Sequence, residues 1–436
     1  MASISVDGLT IGTSVLLIAC YTVEQRYRKQ YTRKMMSPNR TLLMCAIIGL
    51  AVIICVTTVE AELQLVTVLF RHGDRTPDDT DNEKYPNDPY LNSDFYPMGR
   101  GQLTNQGKRR EYTLGKFLRM KYGRFLGDIY TPDTANCLSS DYDRTKMSLQ
   151  LVLAGLFPPN KEQKWNAMLN WQPIPANYVR RFEDNFFLGE ECPMYLNEYD
   201  KVLRSVQGQQ GLSRYSEFMK NLTAWTGKNI TTPWDMYYMY HTLMAEYSLG
   251  LTLPDWAYTV FPNGELWNGT VYAYDAACAT TLLQRLSGGP YLRDVTKIML
   301  NVITGKPGNE KKIHLYSGHE SNIAAVMHCL QVYYPHVPEY SSALILELHK
   351  IEYDYYVKVI NYLGIPSKGV ELQLPGCDKL CPFDTYLELI EDVLPSDDEL
   401  ICDKGLTNDY ANTRSENERD SMKYNLIRTA RAYGNE

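Results

Sequence analysis

Between Leu63 and Phe70 the hydrophobic positions crowd together: Leu63, Leu65, Val66, Val68, Leu69 and Phe70 make a short, nearly unbroken apolar run. Such a run is the mark of a strand covered on both faces. It stops at Arg71-His72-Gly73-Asp74-Arg75-Thr76-Pro77. Downstream, Asp78 to Arg100 is rich in Asp, Asn, Pro and Tyr and reads as a loop. Thr104 can cap a helix reaching about Tyr122, with Tyr112, Leu114, Phe117, Leu118 and Met120 as its core pattern. Cys137–Asp141 reads as a second strand and Arg144–Leu156 as a helix stopped by Pro158-Pro159. Lys312–Ser317 reads as another strand, and Ile323, Ala324, Val326, Met327 and Leu330 carry the helical spacing after it. Two alternating runs between Ser342 and Lys358 predict a pair of antiparallel strands.

Strands alternating with helices define an α/β fold, with a mostly parallel central sheet and helices on both faces. This main α/β domain is expected at 62–159 and 291–402. Residues 160–290, where Tyr, Trp and Met interleave with helical patterning, are expected to form a smaller helical cap. The Met and Tyr stretch Trp234–Tyr240 reads as core packing. The polar tail, 403–436, has no apolar span and predicts disorder.

The first 61 residues read as a leader. A basic stretch with Arg26, Arg28, Lys29, Arg33, Lys34 and Arg40 precedes Leu42–Thr58, which carries no charge. Val59-Glu60-Ala61 then has the small-residue spacing of a signal cleavage site. Cleavage after Ala61 gives a chain with no stable membrane insertion; retention would make a short anchor. Both put the folded part outside the cytosol. Cysteine usage agrees with export. Three of the 10 cysteines fall in the leader, and the rest are Cys137, Cys192, Cys278, Cys329, Cys377, Cys381 and Cys402, an odd number that leaves at least one unpaired or paired between chains. Asn221, Asn229 and Asn268 head glycosylation sequons. A net charge of -7 argues against nucleic acid as partner but allows a local basic pocket.

Candidate chemistry sits where strands end, the usual place for ligands in open α/β sheets. Arg71 and Arg75 flank His72, which makes a compact anion site with a nucleophile or base at its centre. Gly73 lets the backbone turn there and approach a ligand. A bland alternative makes Asp74–Arg75 an ordinary surface pair. His241, His314, His328, His336 and His349 lack neighbours at metal-ligand spacing, so no metal and no other cofactor is inferred.

The segment RHGDRTP resembles the signature of the histidine acid phosphatases, and four further segments agree in order. Gly101-Gln102-Leu103-Thr104 with Gly107 resembles the family's GQLT helix start, and Ser140-Asp141-Tyr142-Asp143-Arg144-Thr145 its S-x-D-x-x-R-T segment. Tyr316-Ser317-Gly318-His319-Glu320 stands where the family has YSxHD, and Leu374-Pro375-Gly376-Cys377 with Cys381-Pro382 matches its LPGC ending. The likeness covers roughly Glu62 to Cys402, and is strongest to the secreted, lysosomal and venom enzymes of animals. It implies a phosphoglycerate mutase-like sheet with a cap. It also implies hydrolysis of phosphate monoesters, small ones or phosphoproteins, with His72 as nucleophile and a phosphohistidine intermediate. Arg71, Arg75, Arg144 and a cationic His319 would bind the phosphate, and Glu320 would carry the proton where the family has Asp. The resemblance further implies disulfides Cys192–Cys402 and Cys377–Cys381, and leaves Cys137, Cys278 and Cys329 as buried thiols. It places Trp234 near the pocket and makes a homodimer the common assembly. The rival expectations are an inositol polyphosphate phosphatase, which would need more basic residues in the cap, and a catalytically weak phosphate-binding or toxin-like protein, for which Glu320 is the support.

Overall fold

The computed structural model describes residues 61–306 and 311–401. The leader, Cys402 and the polar tail lie outside the described residues. Strand β1 (Glu62–Arg71) is the centre of the fold because its side chains alternate between two cores. Leu65 and Leu69 face one core, while Val66, Val68 and Phe70 face the other. All five are essentially inaccessible, and each such burial is worth about 1.5–3 kcal/mol.

The remaining strands are β2 (Ala135–Ser139), β3 (Asn177–Tyr178), β4 (Ile313–Gly318), β5 (Ala343–Ile351), β6 (Asp354–Tyr362), β7 (Gly369–Leu372) and β8 (Cys381–Pro382). They form one sheet in the order β3-β2-β4-β1-β5-β6-β7, with β8 also paired to β6. Pairing is parallel from β3 to β1 and antiparallel from β1 onward, so the sheet is mixed. The expected pair of antiparallel strands is β5 and β6.

The helices are α1 (Asn105–Leu126), α2 (Asp143–Leu156), α3 (Pro193–Arg204), α4 (Val206–Ser213), α5 (Ser216–Thr226) and α6 (Pro233–Ser248), then α7 (Ala257–Val260), α8 (Glu265–Ala277), α9 (Thr281–Ser287), α10 (Gly289–Ile303), α11 (Glu320–Cys329) and α12 (Phe383–Ile390). Leu114 and Leu118 of α1 and Leu149, Val152 and Leu153 of α2 cover one face of the sheet. On the other face lie Leu292, Val295 and Met299 of α10, Ile323 and Val326 of α11, and Tyr386 and Leu387 of α12. Helix α1 starts where expected, with the Thr104 hydroxyl accepting from the Gly107 amide, and runs four residues past Tyr122 to Leu126. Helices α3 to α9 lie between Pro193 and Ser287 and bring their own apolar clusters. Helix α6 opens on a capping box, in which Thr232 and Asp235 satisfy each other's amides ahead of Pro233.

Cys377 is bridged to Cys381, and Cys137, Cys278 and Cys329 are free and buried. Cys192 is also bridged; its expected partner is outside the described residues. Among the described residues no helix is long and apolar enough to cross a membrane.

Candidate active site

Register brings the motifs together. Arg71 of β1 is level with Gly318 of β4, and Ser139 of β2 is level with Ser317. His72, Ser140 and His319 therefore emerge one residue beyond the same sheet edge, where the chain turns toward α2 and α11. The His72 and His319 rings meet edge to face, 5.5 Å apart.

The GQLT segment fastens the loop after β1. The Thr104 amide donates to the Asp74 carbonyl at 2.9 Å, and the Thr76 amide donates to the Gln102 carbonyl at 3.0 Å. A β-carbon on Gly73 would lie 2.6 Å from the Gly107 carbonyl oxygen, and one on Gly107 would lie 2.3 Å from that of Asp74. Gly73 thus permits close backbone contact with the start of α1.

His72 is buried, and its Nδ1 lies 2.8 Å from the Gly73 carbonyl oxygen. A carbonyl only accepts, so Nδ1 carries the hydrogen and Nε2 keeps its lone pair. Burial, then the charges of Arg144 and Arg71, hold the imidazole well below its ordinary pKa. The result is a neutral, tautomer-fixed imidazole among arginines.

Arg71 is fully buried over the Tyr340 ring, with its guanidinium carbon 4.0 Å from the centroid. Its Nη1 donates to the Pro338 carbonyl at 2.7 Å, and its Nε pairs with Glu320 Oε2 at 2.9 Å. Arg75 is clamped by both oxygens of Glu83, at 2.8 and 2.5 Å. Arg144 donates to Asp78 at 3.0 Å and stacks over Tyr142, whose ring is edge-on to His319. The Nε–H groups of Arg75 and Arg144 are buried with no hydrogen-bond partner among the described residues.

Asp74 and Arg75 do not form an ordinary surface pair. Asp74 is buried and pairs with Arg110 at 3.1 Å, while Arg75 pairs with Glu83. His319 also differs from expectation. Burial and then Arg144 push it down to about 3, so it is neutral before any anion arrives. Its Nε2 lies 3.0 Å from Ser140 Oγ, whose own hydrogen goes to Thr145.

Glu320 leads α11 at the same sheet edge. Burial pushes its carboxyl up, but Arg71, His241, His72 and the Tyr237 hydroxyl together hold it well below the usual carboxylate range. Tyr237 donates to Oε1. His241, which sequence reading left as structural or exposed, is buried here, with Nδ1 3.4 Å from Arg71 Nη2. Trp234 stacks edge-on against Tyr237 at 4.7 Å, one ring away from Glu320. The six sequence-derived site residues thus gather at one edge. Tyr237, His241, Tyr340, Glu83 and Asp78 join them without any motif to announce them. The signal available for α6 was its Tyr237–His241 spacing, which puts both on one helical face.

This combination of an α/β sheet, a fixed imidazole at a strand end and a ring of guanidiniums defines a histidine phosphatase site. The chain belongs to the histidine phosphatase superfamily (branch 2), whose family model matches residues 62–361. It is 59% identical over 381 residues to the venom acid phosphatase Acph-1 of Apis mellifera, covering 87% of this chain and 98% of that protein. Human lysosomal acid phosphatase is 33% identical over 373 residues, covering 84% and 86% of the two chains. Rat prostatic acid phosphatase is 32% identical over 348 residues, covering 78% and 89%. Among solved structures, the phytase from Citrobacter braakii aligns with a TM-score of 0.58 at 17% identity, over 76% of this chain and 98% of that one. That likeness carries the fold alone.

Proposed function

We propose that this acid phosphatase hydrolyses phosphate monoesters through a phosphohistidine on His72. The protein is a phosphomonoester hydrolase, secreted or lysosomal like the acid phosphatases it resembles. The observation that carries the reading is a neutral His72 with its Nε2 lone pair free, together with buried Nε–H groups on Arg75 and Arg144 that have no partner among the described residues. Buried donors without partners are costly, and phosphate oxygens would satisfy them.

In the first step the Nε2 lone pair attacks phosphorus in line as the bond to the leaving oxygen breaks. Arg71, Arg75 and Arg144 neutralise charge on the equatorial oxygens. His319, neutral in the free site, gains a proton as the dianion raises its basicity, and then donates to the phosphate. The leaving oxygen takes a proton from Glu320. Glu320 is ionised in the free site, but a dianion sharing Arg71 weakens that hold and raises the carboxyl's affinity for a proton. In the second step water passes a proton to Glu320 as its oxygen attacks phosphorus, and the N–P electron pair returns to His72. Such proton transfers contribute about 10²–10⁴-fold. Phosphorylated protein side chains present the same group as small esters, and both fit this reading.

His72→Ala tests it with an aryl phosphate at acid pH. The expected outcome is loss of turnover by at least about 10³-fold without loss of fold. Wild-type turnover by the variant would overturn it.

A further inference from the structure

Helix α6 turns two side chains, Tyr237 and His241, one helical turn apart onto the Glu320 carboxylate. Neither belongs to the motifs that carry the reaction. The Tyr237 hydroxyl donates to Oε1, and His241 Nε2 lies 3.4 Å from that same oxygen. On its other side His241 Nδ1 faces Arg71 Nη2 at 3.4 Å. An arginine nitrogen only donates, so Nδ1 accepts and the ring's hydrogen sits on Nε2. From there it points at Glu320 and at the Tyr274 hydroxyl, 3.3 Å away. Arg71 Nε closes the circuit on Oε2 at 2.9 Å. Guanidinium, imidazole and carboxylate therefore form a closed ring of three, and Tyr237 adds a second hold on the carboxylate.

Side-chain length explains why such a hold matters here. The Glu320 side chain has several rotatable bonds, and so considerable freedom to lose when its carboxylate is fixed. Proton transfer is sensitive to that freedom, because a donor displaced by about 1 Å can cost about 10²-fold.

We propose that Tyr237 and His241 are positioning residues for the proton transfer, fixing the long Glu320 side chain and tying its placement to that of Arg71, so that proton donor and phosphate clamp are set as one unit. The proposal rests on the reading of Glu320 as the proton carrier. The groups that face Glu320 are Arg71 and His72 from the end of β1, His319 ahead of α11, Tyr237 and His241 from α6, and Tyr274 from α8. A hydroxyl donating to a carboxylate favours the ionised form, so its loss raises the carboxyl's proton affinity.

Tyr237→Phe removes only that hydroxyl and keeps the ring. The experiment compares kcat/KM against pH for an alkyl phosphate, a poor leaving group, and for nitrophenyl phosphate, a good one. Both are run on the wild type, Tyr237→Phe, Glu320→Gln and the double variant. The expected result for Tyr237→Phe is an alkaline limb moved upward by about one pH unit. With it comes a loss on the alkyl ester of about tenfold, several times the loss on the nitrophenyl ester. His241→Phe gives the same selective loss together with a higher KM, because it also frees Arg71. In the Glu320→Gln background Tyr237→Phe has no further effect. Equal losses on both esters with no movement of the limb, or an undiminished effect in the Glu320→Gln background, would overturn the positioning role alone. If Glu320→Gln itself treats both esters alike, the proton-carrier reading fails and this proposal fails with it.

Discussion

Gly107→Ala tests whether the loop after β1 is held in place by backbone contact with α1. The added β-carbon would lie 2.3 Å from the Asp74 carbonyl oxygen and 2.6 Å from the Asp74 nitrogen, both main-chain atoms that no rotamer change can move aside. Ordinary carbon–oxygen contacts begin near about 3.3 Å, so helix and loop must part by about 1 Å. Overpacking of this kind costs about 1–3 kcal/mol. In a domain of this size that lowers Tm by roughly 5 °C. Because Asp74 lies between His72 and Arg75, the same shift moves the nucleophile relative to its clamp. A displacement of about 1 Å costs about 10²-fold in rate. Gly123→Ala on the same helix is the control. Its β-carbon would meet only the flexible Arg119 side chain at 3.6 Å, and the helix gains about 1 kcal/mol from alanine. Thermal melts and steady-state hydrolysis of an aryl phosphate on both variants decide the matter. A Gly107→Ala protein as stable and active as the Gly123→Ala protein would refute the reasoning.

Two other outcomes follow from buried charge. Glu83→Ala strips Arg75 of its carboxylate, and leaving a buried cation unpaired costs about 3–5 kcal/mol, which thermal melts would register. Melting unchanged within about 1 °C would mean that Arg75 is not held by Glu83. Glu246 is buried beside Asp88, and burial with that neighbour pushes it up to about 9. Its folded pKa exceeds its unfolded one, so its contribution is complete below about pH 4.5 and is lost as pH rises toward 9, by about 1.4 kcal/mol per unit. Glu246→Gln should therefore gain stability relative to the wild type as pH rises through that window, and parallel stability curves would contradict it.

Much of the fold could be read from local pattern. Leu63 to Phe70 announced β1 because both faces of that strand are buried, and the alternation after Ser342 announced β5 and β6 because each strand repeats with period two. His72, Arg144 and His319 could be read because each sits a residue or a few beyond a strand, inside a motif. The partners that set their states could not. Glu83 and Asp78 come from a loop whose polar composition names no target. Tyr237 and His241 sit in α6, where Met236, Met239, Tyr240 and Leu243 bury so much of the surface that no polar face stands out. The neutral state of His319 depends on its burial and on Arg144, and neither is local in sequence.

The central claim is that phosphorus is transferred to His72. Rapid-quench trapping of the enzyme during turnover of a labelled monoester, followed by peptide mapping, tests it most directly. Label is expected on the peptide that contains His72, and none when that residue is alanine. Label on any other side chain, or the same label on the His72→Ala protein, would contradict it.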